Sequence, residues 1–139
     1  MSISVKKRRK PAITIGIEAN RRLSDLAMAI EDRMPEIADA LLQELDRARL
    51  VPDAKLPDKT IRIGSDVEFT TNGEQSRRIT LVLPAQADIA QGRISVATPI
   101  GLALIGLSEG QSMTAHARDG RENVLTVVKV LPPQPAAAG

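Results

Sequence analysis

The chain has 139 residues, a formal charge of +2, one aromatic residue (Phe69), one histidine (His116) and no cysteine. That length holds one ordinary domain, or a compact domain with a small helical appendage, around a single core that must be aliphatic. Without cysteine there are no disulfides, thiolate metal sites or cysteine nucleophile; a zinc site would have one imidazole and carboxylates to draw on and a Ser-His-Asp enzyme this one base, and with His116 read as a strand residue no catalytic, cofactor or metal residues are expected.

Five of the 19 basic residues, Lys6, Lys7, Arg8, Arg9 and Lys10, stand together, and the rest of the chain carries 14 basic against 17 acidic residues. Residues 1–11 therefore read as a basic disordered tail on a mildly acidic body, and any nucleic-acid affinity would rest on that tail, nonspecific and salt-dependent. AITIGI is too short for the apolar core of a secretory signal and ends at Glu18. No apolar run approaches the ~18 residues needed to cross a bilayer, so a cytoplasmic protein without membrane contact is expected.

Residues 12–50 read as a short strand-like segment and a helical hairpin. In EANRRLSDLAMAIEDR the apolar positions Leu23, Leu26, Ala27 and Ile30 form one stripe, and in PEIADALLQELDRARL the stripe recurs at Ile37, Leu41, Leu45 and Ala48. Pro35 suits a first helical turn, and Glu36 and Asp39 favour the positive helix end. A link of about four residues makes the helices antiparallel. Helices of about 15 residues give an arm of roughly 22 Å, with EDRMPE at its tip. The tip acids Glu31, Asp32 and Glu36 read first as a solvated turn.

Residues 51–59, VPDAKLPDK, are a proline-marked linker that could act as a hinge. Over residues 60–131 the period changes to that of strands: TIRIG, DVEFT, RRITLVLP, RISVAT, SMTAHA and NVLTVVKV are rich in β-branched residues and separated by turns such as TNGE and RDGR, which predicts an antiparallel sheet. His116 falls in one of these strands. Residues 132–139 are expected to be a disordered tail. Within TPIGLALIG, Thr98 is placed to cap a short helix, Pro99 to start it and Gly106 to end it in the left-handed conformation. Gly101 and Ala103 would let that helix approach a sheet closely. Gly101 and Gly106 have the interval of a phosphate-binding loop, but Leu107 and Ser108 stand where Lys and Ser or Thr are required.

The stretch ISVATPIGLALIGLSEGQSMTAHARDGRENVLTVVKV resembles the C-terminal domain of the Gre transcript-cleavage factors: a strand, a Ser-or-Thr/Pro/Ile entry, a short helix closing on Ile-Gly, a Glu-Gly turn and a hairpin. With the short hairpin containing IADALLQELDRARLV and the linker, residues 12–131 are similar to the regulator of nucleoside diphosphate kinase (Rnk) family. The resemblance implies an α+β fold, with a short N-terminal antiparallel coiled-coil hairpin followed by an FKBP-like antiparallel β-sheet domain with one short helix.

It further implies a bacterial RNA polymerase-binding regulator that docks at the rim of the secondary channel. The Gre entry motif falls on Thr98, Pro99 and Ile100, with Ala97 before them and Thr in place of Ser. Gre factors carry tip carboxylates to the polymerase's magnesium on an arm about twice as long, so competition with Gre factors without transcript cleavage is expected here. Glu31, Asp32 and Glu36 leave open a short-armed cleavage factor, and the basic tail leaves open a nonspecific nucleic-acid binder. A prolyl isomerase of the FKBP type, and with it a small-molecule substrate, is disfavoured because Phe69 alone cannot line an aromatic pocket.

Overall fold

Ile13 and Ile15 lead the chain into the core before the first helix begins. The computed structural model describes residues 10–117 and 119–133. Thr14–Gly16 forms β1, Ile17–Ile30 forms α1 and Pro35–Arg47 forms α2. Leu23, Ala27 and Ile30 of α1 are buried with Ala38, Leu41 and Leu45 of α2, as the two apolar stripes require. The turn between the helices closes when the Arg33 and Met34 amides donate to the Ile30 carbonyl. Pro35 then opens α2, where its missing N–H costs nothing, and Arg47 sits in the last turn.

The chain returns as β2, Arg49–Val51, which pairs in parallel with β1, Ile15 opposite Leu50. The linker that follows is packed. Asp53–Lys55 forms a 3₁₀ turn, Leu56 is buried, and Arg62 donates from Nη2 to the carbonyls of Leu56 and Pro57. The contacts of Leu56 and Arg62 hold the middle of the segment that composition reads as a hinge, while most of its residues are exposed.

β3 (Asp66–Thr71), β4 (Ser76–Val82), β5 (Arg93–Ser95), β6 (Ser112–His116) and β7 (Glu122–Leu131) form a five-stranded sheet in the order β5-β4-β3-β7-β6. The mixed helix-and-sheet fold is the one expected, with two local corrections. TIRIG is not a strand: Thr60 makes a single bridge to Ser108, and Ile61 exchanges backbone hydrogen bonds with Gly106 and Leu107. Its partners lie in the loop behind the third helix, and Gly64 turns the chain at a φ of 97°. The second correction is that β5 pairs with β4 in parallel, because the chain from Leu83 to Gly92 carries it back through two 3₁₀ turns.

A bulge in β7 at Val128, opposite the step from Glu68 to Phe69 in β3, shifts the register of the pair. It explains why Val127 and Val130 are both buried while Val128 between them is 48% exposed, a spacing that simple alternation forbids. The third helix, α3 (Pro99–Leu104), crosses the buried sheet face, and the core runs without a break from Ile13 and Leu41 through Leu104 to Phe69 and Val127. Phe69, the one aromatic residue, is fully buried in this core.

Candidate site: the α3 entry and the groove it shares with the helical hairpin

Thr98 starts α3 by making two bonds with one hydroxyl. Its Oγ1 accepts from the Gly101 amide at 3.1 Å and donates to the Ser95 carbonyl at 2.6 Å, tying the cap to β5. Pro99 takes the first helical position, and past the helix end Gly106 stands at a φ of 80°. The roles of Thr98 and Pro99 agree with the expectation; Gly106 has the left-handed φ expected of it, but the helix already ends at Leu104 and the Gly106 amide donates to the Ile61 carbonyl. Gly106 also has a long-range role, since its carbonyl accepts from the Thr14 amide at 3.1 Å and a Cβ there would lie 2.9 Å from that of Ile13.

The four entry residues do not share one environment. Ala97 is 5% exposed and its amide donates to Ser95 Oγ, so it supports the entry from inside and has almost no surface for a partner. Thr98, Pro99 and Ile100 are half-buried, and Ile100 packs against the core. Pro99 and Leu102 form part of one wall of an open groove of about 1400 Å³. Met113 and Ala115 of β6 continue that wall. Met34, Ile37 and Ala40, from the inter-helix turn and α2, form the other.

The tip acids divide across this geometry. Glu36 lines the groove, while Glu31 and Asp32 are exposed in the inter-helix turn and do not line it. Among the described residues no group of three or more carboxylate or histidine side chains is placed to hold a metal ion. His116 is an exposed strand residue with Nδ1 3.4 Å from a Glu122 carboxylate oxygen.

Sequence reading missed the most buried charge among the described residues. Glu44 lies at the groove on α2, its side chain 5% exposed, and receives Arg47 Nε at 3.1 Å, Arg47 Nη2 at 2.8 Å and Lys10 Nζ at 3.1 Å. Arg47 Nη1 donates to the Pro11 carbonyl at 2.6 Å. Burial by itself pushes the Glu44 carboxyl up, but the bonds and charges of Arg47 and Lys10 together outweigh it and hold the group below its ordinary value. The signal was an acid beside Leu41 and Leu45 on the buried stripe with Arg three residues on.

Lys10 and Pro11 are thus fastened to α2, which corrects their assignment to a disordered tail. The Lys10 ammonium is paired with the Glu44 carboxylate, its side chain half-exposed. Lys6, Lys7, Arg8 and Arg9 lie outside the described residues, as does the expected tail beyond residue 133. Among the described residues no helix is long and apolar enough to cross a membrane.

Comparison with known proteins divides the chain in the same place as its architecture. Residues 11–51 match the family model described as Rnk N-terminus, and residues 56–132 match that described as transcription elongation factor, GreA/GreB, C-term. The regulator of nucleoside diphosphate kinase of Escherichia coli K12 is 38% identical over 104 residues, covering 74% of this chain and 76% of that protein. The transcription elongation factor GreA of Rhodospirillum rubrum is 37% identical over 92 residues, 66% of this chain and 56% of that longer protein. Among solved structures, a GreA/GreB transcription elongation factor from Nitrosomonas europaea superposes with a TM-score of 0.69 at 29% identity, covering 88% of this chain and 99% of that one.

Proposed function

The chain belongs to the family that joins an Rnk N-terminus to a GreA/GreB C-terminal domain, and from that premise we propose that this Gre-related transcription regulator binds bacterial RNA polymerase at the secondary-channel rim, competing there with Gre factors without stimulating cleavage. It would act as a cytoplasmic binding protein and not as an enzyme. The observation that carries this reading is the length of the hairpin. α1 has 14 residues and α2 has 13, so the arm extends about 21 Å, half the reach implied for a cleavage factor.

Pro99 is the entry residue best placed for contact, because it combines groove surface with a backbone role that other residues can fill. Pro99→Glu puts a charge on the groove wall at a helix position where an acid is favourable, so the domain keeps its fold. We expect it to weaken binding to core polymerase at least about tenfold, the cost of seating a charge in an apolar contact. Unchanged affinity in titrations with core polymerase would remove this residue from the interface. Ile100→Asp is the less clean test, because Ile100 also packs on the core.

The exposed Glu31 and Asp32 favour a second reading, a short-armed cleavage factor. Replacing Glu31, Asp32 and Glu36 together by Ala should leave polymerase affinity within a fewfold, since exposed ion pairs are each worth roughly 0–1 kcal/mol. Backtracked complexes incubated with the unaltered protein should keep their RNA intact. RNA shortening that disappears in the triple variant would establish the second reading instead.

A further inference from the structure

α1 begins at Gly16, which has no side chain with which to cap it. The missing acceptor comes from the linker 35 residues on: the Glu18 amide donates to Asp53 Oδ1 at 2.8 Å. The two positions are matched, since a Cβ on Gly16 would lie 2.5 Å from both Cγ and Oδ1 of Asp53. The backbone of Gly16 is in the extended region, at φ −67° and ψ 148°, so glycine serves here for space and not for conformation.

Asp53 opens the 3₁₀ turn that ends in Leu56, and the Leu56 amide donates back to the Asp53 carbonyl at 3.2 Å. Leu56 is buried, and its own carbonyl is held from the sheet domain by Arg62 Nη2. A continuous path of bonds therefore runs from the sheet domain through Arg62, Leu56 and Asp53 to the first turn of α1. β1 is fastened independently, through the Thr14 amide on the Gly106 carbonyl. The first path holds the helix and the second holds the strand before it, with Gly16 between them.

We propose that Asp53 is a positioning residue: it caps α1 from the linker and so fixes the direction of the hairpin relative to the sheet domain, keeping the Met34–Glu36 wall and Pro99 across one groove. The geometry stands in the free protein. Its bearing on polymerase rests on the reading above, because a bound regulator can direct its arm only if the joint at the arm's root is stiff.

The absence of cysteine permits a direct test with spin labels on the full chain carrying Asp32→Cys at the tip and Gln75→Cys in the β3–β4 turn. The otherwise unaltered chain should give one narrow distance distribution. Asp53→Ala should broaden it about twofold by freeing the pivot at Gly16, and Asp53→Asn, whose amide oxygen can accept the same bond, should restore the narrow distribution. Gly16→Ala evicts the Asp53 carboxylate without touching the linker and should also broaden it, so the test survives if one variant fails to fold. Widths unchanged in both Asp53→Ala and Gly16→Ala would overturn the assignment. The measurement contains no polymerase, so a failure of polymerase binding leaves its result standing.

Discussion

Gly101→Ala is expected to lower stability by about 2–3 kcal/mol, although a single methyl is added and alanine is the better helix former. A Cβ at this position would lie 2.1 Å from the Ser95 carbonyl oxygen, 2.8 Å from the Val96 Cα and 2.9 Å from the Ser95 carbonyl carbon. All three atoms are backbone, and that backbone is held. Ser95 pairs with Val82 at the end of β5, the Val96 amide donates to the Val82 carbonyl at 2.9 Å, and the Ser95 carbonyl receives the Thr98 hydroxyl. Relief therefore requires α3 to lift from the sheet, and the burial of Ala103 and Leu104 is lost with it. The gain of about 1 kcal/mol in helix propensity does not offset this.

Urea unfolding should show a lower midpoint for Gly101→Ala with little change in slope. Gly110→Ala makes a useful comparison. Gly110 has a φ of 89° and nothing within 4 Å of an added Cβ, so it tests backbone strain alone and should lose only about 1 kcal/mol. A Gly101→Ala variant as stable as the parent would mean that α3 does not pack on β5 as closely as described. On the function proposed for Pro99, which α3 also carries, the same variant should bind polymerase less well.

The cap of α3 was legible because its signals are local: Thr98 and Pro99 act on their own turn of chain. The helical hairpin was legible for a similar reason, since two stripes of period 3.6 separated by a short link have one compact solution. What escaped was set by partners far along the chain. Glu18 and Asp53 are 35 residues apart, and nothing around Gly16 announces that its missing cap comes from the linker. TIRIG has the composition of a strand, but its backbone hydrogen bonds go to the loop at Gly106 and Leu107 and not to a strand of the sheet. The parallel pairing of β5 depends on how residues 83–92 carry the chain back, and β propensity is blind to strand direction. Motif spacing could not show that Ala97 faces inward while Pro99 lines the groove.

Arg47→Leu should cost about 2–3 kcal/mol at pH 7, and the deficit should shrink as the solution is acidified. Removing one partner of a buried ion pair leaves the other charged and poorly solvated, and Lys10 alone, half-exposed, compensates Glu44 only in part. In the parent the Glu44 carboxyl is held below its ordinary value, so its contribution is complete at neutral pH and is lost as pH falls through the folded-state value. In Arg47→Leu burial, the largest single influence on this carboxyl, is opposed only by Lys10, so the folded-state value moves up from that of the parent. The variant then gains stability relative to the parent as pH drops from 7 through the range in which the carboxyl protonates. Urea unfolding of both proteins across that range should show their stabilities converging. The double change Glu44→Leu with Arg47→Leu removes the stranded charge and should recover most of the loss at pH 7, because well-packed apolar side chains replace a buried pair at little cost. A parent-to-variant difference that stays constant from pH 7 through that range would show that Glu44 does not carry an uncompensated charge in the variant, and the role of Arg47 in neutralising Glu44 would fall with it.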